Sequence, residues 1–286
     1  MTIDFKALAE KNKQVAVDLT KPQVSGDYKP PEAGATRLRF VGYVETGTHE
    51  GSYKGTKKIQ RKAIFFFELS GPKHMPAEFE GRKVPHIIRH ELAITNHVKG
   101  SYIKLFNRMA QAVPGATNFL ELLGQPYRGT VVHREYKVGE EKRVAAELKN
   151  AEGFTIIGCE YEDPETNELR TIKVDDPLTP FKVLLWDLAD TAQWDSIFVD
   201  GTTDAGKTRN IFQEKIKHAT DFVGSPIYEA LLAAGRDAEL VPAEPASKDE
   251  ADGADDDADG DKSSAVKEPA KALDAAEGDD PLAGTK

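Results

Sequence analysis

From Thr36 to Thr46 the chain reads TRLRFVGYVET, and its side chains alternate with the period of an extended strand. Leu38, Phe40 and Val44 fall on one face, while Arg37, Arg39, Val41 and Tyr43 fall on the other. A helix cannot set these residues in two such rows, so the pattern commits the chain to a sheet. Lys62–Leu69 (KAIFFFEL) is a second expected strand, rich in the aromatic residues that suit a pleated surface. Val84–Thr95 is a third. Tyr102, Leu105, Phe106, Met109 and Val113 then recur at three- and four-residue spacing, which predicts a helix burying one face and ending at Pro114-Gly115. Tyr127–Val138 and Lys142–Lys149 follow as two strands, joined by Gly139-Glu140-Glu141 as a hairpin with its turn at the glycine.

Three strands, a helix and two strands is the element order of an OB-fold, a five-stranded Greek-key barrel that commonly binds oligonucleotides. The fold class expected is therefore mainly β with added helices (α+β). Gly153–Cys159 and Leu169–Val174 read as further short strands around the turn Asp163-Pro164-Glu165-Thr166-Asn167. Three helices are expected after them, at Phe181–Ala189, at Thr208–Phe222, and from the Ser225-Pro226 cap to the Gly235 stop. The organisation expected is a linker arm over 1–35, a binding core over 36–160, an extension over 161–240 and an acidic tail over 241–286. The tail consists of Ala, Asp, Gly, Glu, Lys, Pro and Ser with almost no large apolar residues, a composition that cannot offset ordering entropy and predicts disorder.

Charge divides along the same lines. Thr36–Arg143 carries 19 Lys and Arg against 10 Asp and Glu, whereas Val241–Lys286 carries 5 against 14. The formal net charge of −10 thus conceals a basic region with an acidic competitor on the same chain. Val144–Leu240 is itself acidic, with 9 bases against 19 acids, which excludes it as a polyanion-binding face. The partner expected is a polyanion.

Gly51–Phe67 (GSYKGTKKIQRKAIFFF) concentrates the signal, with Lys54, Lys57, Lys58, Arg61 and Lys62 and no acid. Tyr53 and Phe66 are interleaved with them. Cations neutralise phosphates and release counterions, and aromatic faces stack on unpaired bases at about 1–3 kcal/mol each. Arg37, Arg39 and Tyr43 are expected as a groove floor. Tyr127, Arg128, His133, Arg134 and Tyr136 supply a second mixed cluster. For each residue taken singly, a solvated strand or loop is the competing reading.

The chain carries no enzymatic constellation of comparable force. Gly201-Thr202-Thr203-Asp204-Ala205-Gly206-Lys207-Thr208 matches the P-loop pattern, and a nucleotide-binding enzyme is the first alternative. Such a loop needs further βα units to supply a metal-binding Asp, and too few foldable residues follow Thr208. His86 and His90 stand four apart in a strand, without a third ligand nearby in sequence. Cys159 is alone, so no internal disulfide forms, and no cofactor is expected. The start of the chain has no basic segment leading into an apolar run, and nowhere do about 18 apolar residues run together, so a soluble protein of the cytoplasm is expected.

Phe40-Val41-Gly42-Tyr43-Val44-Glu45-Thr46-Gly47, Phe67-Glu68-Leu69-Ser70-Gly71-Pro72 and Trp194-Asp195-Ser196-Ile197-Phe198-Val199-Asp200-Gly201, followed by the acidic tail, make the chain resemble the single-stranded DNA-binding proteins of tailed bacteriophages. The resemblance spans about Thr36–Leu232. It implies an OB-fold core that coats unwound template during phage replication or recombination, in an infected bacterial cytoplasm. It further implies a tail that competes with DNA for the basic groove and recruits a phage or host polymerase or helicase. Tails of that class finish with acids and a terminal aromatic, whereas this one runs on from Asp279-Asp280-Pro281-Leu282 to Ala283-Gly284-Thr285-Lys286. A phage structural or adaptor protein, with the basic loop on a protein partner, is the second alternative. Oligomerisation is compatible with either.

Overall fold

The structure is a computed structural model that describes residues 30–53, 56–79, 81–202 and 206–242. The expected arm before Pro30, Lys54 and the acidic tail from 243 onward lie outside the described residues.

The first strand, β1 (Gly34–Tyr53), is 20 residues long and pairs antiparallel with β2 (Thr56–Ser70) from Arg37 to Tyr53. A small hairpin of β3 (Ala77–Phe79) and β4 (Arg82–Val84) leads to β5 (Ile87–Ala93), which pairs with the other edge of β2. The expected third strand is thus two strands with Pro85 between them, where a missing amide interrupts any ladder. Helix α1 (Ser101–Ala110) follows, with Leu105 and Met109 buried and Tyr102 and Phe106 packed beside them, as the spacing predicts. β6 (Pro126–Val138) returns to pair with Gly34–Arg39, and β7 (Glu141–Glu147) folds back on β6 through a turn at Gly139, whose φ is +61°.

The spatial order is β5-β2-β1-β6-β7. Within it, three consecutive antiparallel strands are joined by a fourth that returns to lie beside the first, the order of a Greek key. The expected five-stranded barrel does not close, because the sheet stays open between β5 and β7. The chain turns aside after β7 into the short hairpin β8 (Lys149–Asn150) and β9 (Gly153–Phe154). At the seam Leu148 N donates to His90 Nε2 at 3.2 Å, and the Phe154 ring stands 5.5 Å from the His90 ring.

Two cores lie on opposite faces of the same long hairpin. Leu38, Phe40, Tyr43, Phe65, Phe67 and Leu69 face inward to α1, Phe119, Leu122 and Ile156. Val41, Val44, Ile64 and Phe66 face the opposite way, into a second core built by the C-terminal part of the chain. Ala63–Leu69 of β2 is accordingly buried without alternation.

That second core begins after β10 (Glu160–Glu162) and β11 (Leu169–Thr171), which form the expected hairpin around the 163–167 turn. β12 (Lys182–Leu184) then pairs parallel with β1 at Gly42–Val44. Gly42 allows this approach, since a Cβ there would stand 2.9 Å from the Lys182 carbonyl oxygen and 2.9 Å from Phe66 Cδ2. Phe181–Ala189 is therefore a strand and a short 3-10 turn instead of the expected helix. Three short helices, α2 (Thr191–Ser196), α3 (Ile211–Lys217) and α4 (Pro226–Ala233), complete the face. The helix expected at Thr208–Phe222 is trimmed to α3, with Asn210 N bonded to Thr208 Oγ1 just before it starts. α4 matches its signals: Ser225 Oγ accepts from Tyr228 N, Pro226 opens the first turn, and Gly235 at φ +68° ends it. No described helix is long and apolar enough to cross a membrane.

Candidate nucleic-acid interface

The first candidates lie on β1, where a one-residue bulge decides which of them share a face. Phe40 pairs with Phe67 and Gly42 with Phe66, so Val41 is the extra residue. Side chains beyond a bulge change sides relative to the simple alternation. Arg37 and Arg39 remain opposite to Leu38 and Phe40, as expected. Tyr43, expected beside the arginines, is instead buried with Phe40, and Val44 faces away from it. The Tyr43 hydroxyl donates to Glu45 Oε1 at 2.9 Å and lies 2.8 Å from the Tyr102 hydroxyl. Burial pushes its pKa far up. It is a core residue with no face for a base.

Arg39 and Arg61 are cations engaged by the protein itself. Arg39 donates to the carbonyl oxygens of Gly124, Val174 and Asp175 and lies 3.4 Å from Asp176. Arg61 makes a two-pronged contact with Asp187 at 2.9 and 3.2 Å. Lys62 is paired with Glu91 at 3.1 Å, and Glu91 also holds Lys215 of α3 at 2.6 Å. Carboxylates complete this seam: Glu68 accepts from Leu178 N and Thr179 N, Glu45 from Trp186 N, and Asp221 from Thr48 N and Oγ1. Polar groups that a basic groove would offer to phosphate here fasten the C-terminal part onto the sheet.

Phe66 and Tyr127 are corrected as stacking platforms. Phe66 is 3% exposed and meets Phe212 of α3 edge-on at 5.0 Å. Arg89 stands over the same Phe212 ring, so α3 covers the outward face of β2 and β5. Tyr127 is wholly buried in the inner core, and its hydroxyl has no hydrogen-bond partner among the described residues.

What stays accessible lies on the two long hairpins. Beyond Gly47 the β1–β2 hairpin continues as a paired arm from Thr48 to Tyr53 and from Thr56 to Arg61. On it Lys57 is 64% exposed at its side chain and lies 2.7 Å from Glu50, Lys58 is half-buried and Ile59 is 61% exposed. Tyr53 belongs to the strand; its side chain and all of Lys54 lie outside the described residues. On the β6–β7 hairpin Arg134 pairs with Glu147 and stands over the half-buried Tyr136 ring at 5.6 Å. His133 is exposed and its Nε2 donates to the Pro31 carbonyl at 2.7 Å. Arg143 is exposed directly across from Tyr136, and the exposed Lys137 and Lys142 pair with each other on the opposite face of the hairpin; none of the three carries a local sequence signal that sets it apart from a solvated strand.

Arg128 lies on the outward face of β6, before the stretch of β6 that pairs with β7. Its Nε donates to the Gly158 carbonyl at 2.9 Å, and its guanidinium stands over the Tyr161 ring at 5.3 Å. Arg37 is its direct neighbour in the β1–β6 register.

The P-loop alternative loses its context. The chain enters Gly201 from α2 and a loop instead of a strand. Thr202 bridges to Thr208 as a tight hairpin closed by Arg209 N on the Gly201 carbonyl, while residues 203–205 lie outside the described set. Among the described residues no group of three or more His, Cys, Asp or Glu is placed to hold a metal ion, and His86 and His90 are not brought together with a third ligand. No family model, curated protein or solved structure matches the chain.

Proposed function

We propose that the chain is a non-enzymatic, sequence-tolerant single-stranded DNA-binding protein of OB type, of the kind that tailed bacteriophages use to coat and protect template during replication or recombination. The observation that carries the reading is the strand order β5-β2-β1-β6-β7 with α1 between the third and fourth main strands. An OB-fold is a partly open five-stranded Greek key, and it meets oligonucleotides with its second and third strands and with the hairpins joining strands one to two and four to five. Those hairpins correspond to the β1–β2 arm and the β6–β7 hairpin. They carry the accessible Lys57, Lys58, Lys137, Lys142 and Arg143, together with Arg134 and Tyr136. Because α3 covers the outward face of β2 and β5, the arms take the role that the strand face has in an uncovered barrel. The acidic segment 241–286 then acts as a charge competitor for the arms and as a contact for a polymerase or helicase.

The test is anisotropy of a labelled oligo-dT titrated with the full chain and with the Lys57→Ala/Lys58→Ala variant over a salt series. Each single-strand phosphate neutralised contributes about −0.7 to the salt slope, so losing two contacts flattens it by about 1.4. An unchanged affinity and slope would remove the β1–β2 arm from the interface.

A further inference from the structure

Arg37 and Arg128 face each other across the β1–β6 ladder, in register and on the same outward side of the sheet. Like charges directly opposite on neighbouring strands repel unless a nearby carboxylate offsets them. Here the nearby acids are spent elsewhere. Glu68, opposite Arg39, receives the Leu178 and Thr179 amides, and Asp176 lies against Arg39. The Arg37 carbonyl accepts from Thr36 Oγ1, but its guanidinium makes no hydrogen bond or ion pair with another described residue; its stem lies along Gly71, with Cγ and Cδ 3.6 Å from where a Cβ would stand. Arg128 is held at Nε by Gly158 and lies over the Tyr161 ring, and its two terminal nitrogens form a fork with no partner among the described residues. Ser70 extends the row on the far side of Arg37, and its buried hydroxyl also has no partner among the described residues.

We infer that Ser70, Arg37 and Arg128 form a cradle for a phosphate-class anion, at the base of the sheet and away from the exposed ends of the two hairpins, with Arg128 preorganised for two-pronged contact. As a station for a DNA phosphodiester the cradle deepens the function proposed above and rests on it; as a site for free phosphate it stands alone. A strand lying over it would pass along the outward face of β1 and β6. The missing carboxylate is then explained, since the anion is supplied by the ligand.

The experiment uses the full chain, with Arg37→Gln as the variant because Arg37 has no bonding role in the fold, and Arg37→Lys as the conservative one. In chloride buffer Arg37→Gln melts no lower than the parent, because it relieves repulsion. With oligo-dT it lowers affinity ~10-fold and flattens the salt slope by ~0.7, and Arg37→Lys restores the slope while recovering only part of the affinity. A second arm measures the melting temperature in inorganic phosphate against chloride at equal ionic strength. A phosphate-dependent rise abolished by Arg37→Gln, with oligo-dT binding untouched, assigns the cradle to free phosphate. Arg37→Gln with parental oligo-dT affinity and slope, and no loss of a phosphate-dependent rise, overturns the cradle while leaving the DNA-binding reading intact. Failure of the parent chain to bind oligo-dT sinks that reading alone, and the phosphate arm then decides the cradle.

Discussion

Replacing Gly47 by Ala should be among the most damaging single-methyl changes in this chain. Gly47 has φ +83° and follows the second irregularity of β1, between Glu45 and Gly47 in the pairing with β2. A Cβ there would stand 2.3 Å from Trp186 Cη2, 2.5 Å from Trp186 Cζ3 and 2.6 Å from Ala219 Cβ. Two penalties add. A left-handed backbone costs an L-residue roughly 1–2 kcal/mol, offset in part by the stiffer unfolded chain. Forcing a methyl into a packed core costs roughly 1–3 kcal/mol more. The loss is therefore about 2–4 kcal/mol, a large part of the ~5–15 kcal/mol that holds a typical domain folded. Gly224 separates the two penalties, since its φ is +82° and nothing lies within 4 Å of an added Cβ. Gly224→Ala should lose only about 1 kcal/mol. Urea unfolding followed by tryptophan fluorescence reads both variants, with Trp186 and Trp194 buried in the affected core. Equal losses at the two positions would refute the docking of Trp186 on β1, and with it the covered sheet face.

Phe66→Ala should destabilise by about 3–5 kcal/mol, as a buried aromatic against Phe212, and in a stability-matched comparison it should leave the salt slope of DNA binding unchanged. A selective loss of binding without loss of stability would return Phe66 to the interface. Burial lowers the His49 pKa below its ordinary 6.5, with Lys215 adding to the effect. The unfolded chain then takes up a proton first as pH falls, so the His49 contribution to stability is complete above about 6.5 and is lost progressively below it. The melting temperature of His49→Gln should accordingly vary less between pH 7 and 5 than that of the parent; an identical profile contradicts the assignment. Calorimetric titration with Mg-ATP should give no heat for the parent or for Lys207→Ala, whereas saturable binding abolished in the variant would revive the P-loop alternative.

The parts of the fold governed by near neighbours were legible in the sequence. The Leu105–Met109 face of α1, the turn at Gly139 and the Ser225-Pro226 to Gly235 boundaries of α4 each follow from residues within a few positions. The bulge at Val41 was not, because its alternation is indistinguishable from that of a straight strand until the partner register is known. Phe181–Ala189 reads as an apolar helix by itself, yet Val183 and Leu184 gain more by pairing with β1 across the gap that Gly42 leaves. The candidate site divided in the same way. The tally of cations was visible, but not their employment, since Arg39 is held by carbonyls 85, 135 and 136 residues away and Arg61 by a carboxylate 126 residues away. The stacking of Tyr161 under Arg128 has no sequence signature at all.

The most direct measurement is anisotropy of labelled oligo-dT, set against a duplex of equal length, titrated with the full chain from low to moderate salt. The account predicts binding to oligo-dT that is tighter than to duplex and weakens with salt by about 0.7 in log–log slope for each phosphate engaged. No binding at low salt, or equal affinity for the duplex, would contradict it.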